Sequence, residues 1–370
     1  MPEIRVDEHL GRIYGDRYRL VAPVGTGASA RVYMAEDQAL RRRVAVKTLH
    51  PGLVSDEQFR RRFLAEAQVA AQVSHPHLLA VYDWGEHDTE AYLVTELLSG
   101  GSLRDMLDAG HRLSESQALL VGLHAAQGLD AAHERGLVHR DIKPANLLFD
   151  EKGRVRIGDF GIARAVAEAT WTEPEGALIG TARYAAPEQA VTGEVDGRAD
   201  VYSLALTLIE AVTGDVPLVS STPIATMVLR QKSDVVVPDS FGPLRDALTA
   251  AGRADRSQRP SASEFAAMLR RAASSLPRPE PLALRSGSST TEAPPPVASF
   301  DAETEVIDLS GQVHETSTER DTDVYDLPRQ RRRWPFVLLV LLAVVGVAGY
   351  FGYDYYDKEI RIPTHGRKLR

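Results

Sequence analysis

The chain of 370 residues contains no cysteine. Disulfide staples, thiolate metal sites and cysteine nucleophiles are therefore excluded. It also lacks any surplus of basic residues. The formal net charge is −8, which argues against general nucleic-acid binding. No apolar run opens the chain. Residues 1–13 carry charges throughout and do not read as a secretory leader.

Other features are unevenly placed. Residues 18–276 read as one globular domain after a poorly packed lead-in over 1–17. Alternating apolar patterns predict strands over 18–24, 31–36, 43–49, 79–84 and 91–96, interrupted by one helix over 56–73. Helical patterns follow over 103–107, 114–135, 197–213 and 261–273. A strand-rich lobe followed by a helical lobe is an α+β arrangement. Residues 277–333 are rich in Pro, Ser, Thr and acid and end in Arg329, Arg331, Arg332 and Arg333. With few apolar groups to offset ordering entropy, they read as a disordered acidic linker with a basic end. Residues 334–353 carry no charge. Twenty helical residues span ~30 Å, the hydrocarbon thickness of a bilayer, so this segment predicts one transmembrane helix. A short tail, 354–370, follows.

Several residues carry chemistry at telling distances. Gly25 and Gly27 lie in a loop between two predicted strands, where glycines let the backbone approach phosphate closely. Because a strand follows rather than a helix, the loop is not a dinucleotide-binding turn. Lys47 alternates with apolar residues on a strand, and Glu66 falls where the following helix turns apolar. A charge facing a core needs a partner, which makes Lys47 and Glu66 a predicted ion pair. Asp141 and Asn146 share one proline-containing loop with Lys143. Their oxygens suit orientation of a hydroxyl and capture of a hard cation. Asp159-Phe160-Gly161 places a further carboxylate before a flexible glycine, and Gly180-Thr181 and Ala186-Pro187-Glu188 punctuate the segment beyond.

Taken together and in this order, the motifs over residues 18–276 resemble the protein-kinase signature, and the span after them resembles the bacterial transmembrane serine/threonine kinases. The resemblance implies a bilobal kinase fold with ATP as phosphoryl donor and Mg²⁺ as cofactor, Mn²⁺ being a substitute. It implies that Gly25 and Gly27 cover the phosphates and that Lys47, paired with Glu66, contacts them. Val24, Val32, Ala45 and Leu148 would enclose the adenine, with Thr95 at the back wall and the Glu96 and Leu98 backbones at its edge. Asp141 would accept the hydroxyl proton, Lys143 steady the transferred phosphoryl group, Thr181 support both, and Asn146 and Asp159 hold the metal. Glu188 would pair with Arg259, and Asp200 would brace the catalytic loop. Two departures stand out: Ala30 replaces the third glycine of the loop, and Ser29 occupies its tip. A pseudokinase scaffold would lack Lys47, Asp141 or Asp159, and a small-molecule phosphotransferase would lack the Ala186-Pro187-Glu188 ending.

The resemblance also bears on control. Arg140 before the catalytic aspartate implies an activation segment ordered by phosphate, with Thr170 and Thr172 as acceptors. Thr304 and Thr322 share a Thr-acid-Val pattern with an apolar residue three places on, which resembles a ligand for forkhead-associated domains once phosphorylated. Protein substrates, homodimerisation through the small lobe and a cytoplasmic kinase domain on a single-pass anchor in the cell membrane complete the expectation. Basic residues flank both ends of the apolar span, so charge alone does not orient it. Replacing Thr170 and Thr172 together by Ala should reduce phosphorylation of an added protein substrate; unchanged activity would remove both from the regulatory account.

Overall fold

The structure is a computed structural model that describes residues 7–26, 30–49, 63–64, 67–68, 70–88, 90–159, 183–190 and 195–285. The helix expected over 56–73 lies largely outside these residues, and the apolar span 334–353 lies wholly outside. Among the described residues no helix is long and apolar enough to cross a membrane.

The small lobe is a six-stranded antiparallel sheet in the order β1-β2-β3-β4-β6-β5. Its strands are β1 (Ile13–Tyr14), β2 (Tyr18–Thr26), β3 (Ala30–Asp37), β4 (Arg42–Leu49), β5 (Val81–His87) and β6 (Glu90–Thr95). Strand alternation sends Val44, Val46, Tyr92 and Val94 to one face, where they pack with Tyr14, Tyr18, Leu20 and Tyr33. Leu49, Ala91 and Leu93 face the other way, against Phe63 and Ala67. Each of three buried tyrosines places its hydroxyl on an acid: Tyr14 donates to Glu90 at 2.6 Å, Tyr18 to Asp83 at 2.7 Å and Tyr33 to Asp7 at 3.1 Å. A buried phenol needs such a partner.

These contacts correct the reading of 1–17 as a loose lead-in, as far as its described part goes. Tyr14 is fully buried and β1 pairs with β2. A two-residue strand has no periodicity to read, and its anchor, Glu90, is distant in sequence.

The large lobe is built on α1 (Leu103–Asp108), α2 (Glu115–His133), α3 (Arg198–Thr213), α4 (Pro223–Lys232), α5 (Arg245–Ala251) and α6 (Ala262–Ala273), with a two-stranded β7 (Leu147–Phe149) and β8 (Val155–Ile157). Helix starts are written locally. Ser102 with Asp105, Ser114 with Gln117 and Ser261 with Glu264 form capping boxes, and Gly214 ends α3 with φ 92°. Helix α3 is buried from Ala199 to Ala211 and forms the lobe's axis. Helix α2 packs on it through Gly122, where a Cβ would lie 2.7 Å from Leu208 Cδ1. Gly128 on the same helix leaves room for the His77 carbonyl, which a Cβ would meet at 2.8 Å. The chain entering β5 is thereby held against β8: Ile157 N donates to His77 O and Leu79 N to Ile157 O, both at 2.9 Å. This junction sets one lobe against the other.

The end of the domain also differs from expectation. Residues 277–285 are not loose linker: Leu282 and Leu284 pack on the large-lobe core. The sequence there reads as linker because proline and charge dominate it, while the two leucines find a ready apolar surface.

One ion pair closes the small lobe's first hairpin. Asp37 is buried and accepts from Arg17 Nε and Nη2 at 2.7 and 2.8 Å and from the amides of Ala39 and Leu40. Arg17 outweighs the cost of burial and lowers its pKa from 3.8 to about 2. A depressed carboxyl stabilises the fold above its unfolded value, and that stability is lost as pH falls through the folded one. Asp37→Asn should cost about 2 kcal/mol at neutral pH. In urea titrations the gap to wild type should close between pH 3.8 and about 2; a pH-independent gap would contradict this.

Candidate active site

The cleft between the lobes collects most of the described candidates. On the sheet, register puts Gly25 opposite Val32, Val32 opposite Lys47, and Lys47 opposite Leu93, while Ala45 pairs with Thr95. Strand alternation thus gives Val32, Ala45 and Lys47 one face. Leu148 on β7 lies below the chain that leaves β6, bridged to Ser102. Thr95 is buried and its hydroxyl donates to Glu96 O at 3.2 Å. The Glu96 side chain turns away from the cleft: it accepts from Ala80 N at 2.9 Å and pairs with Arg156 at 3.3 Å. Its amide also donates to Ala80 O at 3.0 Å, which leaves its carbonyl as the group available to a ligand's edge. Val24 is half exposed at the end of β2.

Across the cleft stands the loop 139–146. His139 is fully buried. Its Nδ1 accepts from Asp141 N at 3.2 Å, so Nε2 carries the proton and donates to Gly158 O at 2.8 Å. Lys143 Nζ donates to Asp141 Oδ2 at 2.7 Å. Asn146 Nδ2 donates to Asp141 O at 2.7 Å and to Asp141 Oδ2 at 3.2 Å, which turns its amide oxygen elsewhere. Gly158 N returns to Asn146 O at 2.9 Å. Asp141, Lys143, Asn146 and the strand leading to Asp159 are therefore one hydrogen-bonded body.

Asp159 joins the lobes. Its Oδ1 lies 2.6 Å from Lys47 Nζ. The surrounding protein works against its charge, yet Lys47, with Lys143, holds its pKa below the ordinary carboxylate value. Lys47 therefore has Asp159 as a partner. The expected partner, Glu66, lies outside the described residues, as do Gly27, Thr170, Thr172, Thr181, Thr304 and Thr322. Both Asp159 and Arg140 have positive φ, 60° and 66°. Such strain in non-glycine residues costs about 1–3 kcal/mol and persists only where neighbours enforce it.

The enforcing group at Arg140 is Asp200, in the first turn of α3 and fully buried. It accepts from the amides of His139 and Arg140 at 2.8 and 2.7 Å and lies 2.8 Å from His133 Nε2. Gln189 Nε2 donates to Arg140 O at 2.8 Å, tying the loop to the turn after Pro187. There Glu188 meets Arg259 in a two-armed pair at 2.7 and 3.0 Å, with the guanidinium fully buried and stacked over Tyr202. Sequence reasoning missed Arg230, another fully buried cation, which donates to Ala185 O and Arg183 O at 2.8 and 2.6 Å. Nothing in its local pattern marks it as buried, because its partners come from a distant turn. Tyr184 was missed too; it donates to Glu210 at 2.6 Å, which also receives Arg104 at 3.0 Å.

A two-lobed fold with this cleft defines the class. The protein kinase domain family matches residues 18–269, and the chain belongs to that family. Among its relatives is the serine/threonine-protein kinase PknB of Mycobacterium leprae, 41% identical over 227 residues, which cover 60% of this chain and 36% of that protein. PknB of Mycobacterium tuberculosis is 40% identical over 230 residues, covering 61% and 37%. The chain thus spans little more than a third of the curated relatives it matches. The crystal structure of the PknI kinase domain of M. tuberculosis superposes with a TM-score of 0.57 at 32% identity, covering 71% of this chain and 98% of that one.

Breaking one buried pair should unfold the lobe more easily. Glu188→Ala removes the counter-charge of the buried Arg259 guanidinium, leaving it only backbone carbonyls, and should cost about 3–5 kcal/mol. Glu188→Leu with Arg259→Met should cost less, since no charge is then stranded. Equal denaturation midpoints for wild type and Glu188→Ala would contradict the assignment.

Proposed function

We propose that the chain is a serine/threonine protein kinase that transfers the ATP γ-phosphoryl group to protein hydroxyls. The observation that carries this reading is the hydrogen-bonded body of Asp141, Lys143 and Asn146 standing with Asp159 and Lys47 across one cleft. Asp141 is the group placed to accept the hydroxyl proton, and Lys143, bonded to it, to steady the transferred group. Lys47 supplies positive charge to phosphate oxygens from the opposite lobe. Val32, Ala45, Thr95 and Leu148 give adenine an apolar slot, Val24 closes it toward Gly25, and the Glu96 and Leu98 backbones meet its edge.

The donor set fits a hard divalent cation. The Asp159 side chain is 44% exposed, and the Asn146 oxygen is directed away from Asp141. These two residues would hold Mg²⁺, or Mn²⁺ in its place. When bound, the ion neutralises charge on the phosphates. Thr181 would support Asp141 and Lys143, Glu66 would orient Lys47, and phosphate on Thr170 or Thr172 would order the segment between.

In the same reading the kinase domain, residues 18–276, lies in the cytoplasm on a single-pass anchor at 334–353 in the cell membrane. Homodimers would favour phosphorylation in trans. Phosphorylated Thr304 and Thr322 would recruit a forkhead-associated-domain protein; support for this is their repeated Thr-acid-Val pattern.

Wild type and Asp141→Asn should be compared with ATP, Mg²⁺ and a protein substrate. Loss of the proton acceptor should reduce kcat at least ~100-fold while nucleotide affinity stays within about threefold. A fully active Asp141→Asn, or a wild type that binds ATP without transferring phosphate, would overturn the reading.

A further inference from the structure

Beyond α6 the chain crosses the large lobe and returns to the cleft. Gln117, in the first turn of α2, donates from Nε2 to the carbonyls of Glu280 and Pro281, both at 3.2 Å. Leu282 and Leu284 then pack inward while Ala283 between them stays exposed. Leu284 N bonds back to Leu282 O at 2.9 Å, a tight turn that sends both leucines to one side. Arg285 N donates to Gly100 O at 3.3 Å.

The receiving surface is the chain just past the hinge. Gly100 N donates to Phe149 O at 3.0 Å and Phe149 N to Gly101 O at 2.8 Å, and Ser102 bridges Leu148. Residues 100–102 are thus a strip held on one edge by β7 and on the other by Arg285. The glycines there are required by this packing. At Gly101, φ 76°, a Cβ would lie 2.8 Å from Arg285 Cδ; at Gly100 it would lie 2.7 Å from Phe149 O. In the β7–β8 turn, Gly153, φ 74°, sits in van der Waals range of both leucines, 3.7 and 4.0 Å from a Cβ there to their Cδ1 atoms. The returning segment therefore touches both elements that carry the adenine slot: the hinge strip and the hairpin that bears Leu148.

We infer that residues 280–285 form a strap that holds the hinge of the nucleotide cleft in register, making Leu282 and Leu284 positioning residues for ATP. The inference rests on the reading of the cleft as an ATP site. The strap is held by the two Gln117 bonds at its start, one amide bond at its end and two part-buried leucines, so it is a low-stability element beside a rigid core. Its displacement would loosen Gly100–Ser102 and with them the backbone that meets the adenine edge. Displacement would not reach Asp141, which is fixed by Asp200 and His139 from the other side.

The test uses the full chain, with Leu282→Ser/Leu284→Ser against wild type and with Ala283→Asp as a control on the exposed side. The double variant should raise the KM for ATP about five- to tenfold, while kcat and the KM for the protein substrate stay within about twofold and Ala283→Asp behaves as wild type. An unchanged KM for ATP would overturn the strap. So would a parallel loss of kcat and of affinity for both substrates with a lowered Tm, which marks a structural role only. If the wild type transfers no phosphate, the kinase reading fails by itself. The strap is then decided by equilibrium titration with a fluorescent ATP analogue: weaker binding by the double variant supports it, and equal binding overturns it.

Discussion

The carboxylate of Asp200 holds the site together. It is buried without solvent contact and survives there because it accepts two backbone amides, faces His133 and lies in the first turn of α3, where the helix dipole favours negative charge. By gripping the amides of His139 and Arg140 it keeps Arg140 in the left-handed region. That strained residue turns the chain so that Asp141 faces the cleft, while its carbonyl takes Gln189. The His139 ring, aligned by the same grip, reaches the Gly158 carbonyl just before Asp159. One buried charge thus orders the loop that bears Asp141, the approach to Asp159 and the turn at Pro187–Ala190.

The two lobes divide the labour. Helix α3, packed on all sides, gives Asp200 a rigid base. The sheet supplies Lys47 at a register fixed by Val32 on one side and Leu93 on the other. Between them the 2.6 Å contact of Lys47 with Asp159 crosses the cleft. It presents cation and carboxylate together where phosphates and a divalent ion would meet. The lobes are not joined by that contact alone. The backbone bonds of His77 and Leu79 to Ile157, admitted by Gly128, form one further joint, and the strip 100–102 forms another. The strap adds a contact to the second of these.

Much of this was legible in the sequence. The alternating runs around Val44 and Val94 gave strands close to those observed, and the helical patterns over 103–107, 114–135 and 261–273 fall on α1, α2 and α6. The loop 139–146 was legible because the chemistry proposed for it needs particular side chains at fixed spacing. Glu188 with Arg259 and Asp200 as a brace followed from the family resemblance and appear in the geometry. What the sequence did not show depends on partners far away along the chain. Tyr14 is buried through Glu90, Arg230 through the carbonyls of Arg183 and Ala185, and Leu282 and Leu284 through the glycine turn at 153. None of these has a local pattern, and the last sits in a composition that imitates a linker. The role of the Glu96 side chain was likewise invisible until Arg156 stood beside it.

Asp200 holds the loop 139–146 through two backbone amides, and amide hydrogen exchange reads that grip directly. The His139 and Arg140 amides should be protected in the wild type. In Asp200→Asn they should exchange at least ~100-fold faster, a loss on the order of 3 kcal/mol from two charge-assisted bonds, while the amides of Leu204 to Leu208 stay protected. Equal protection of both amides in wild type and variant would contradict the account.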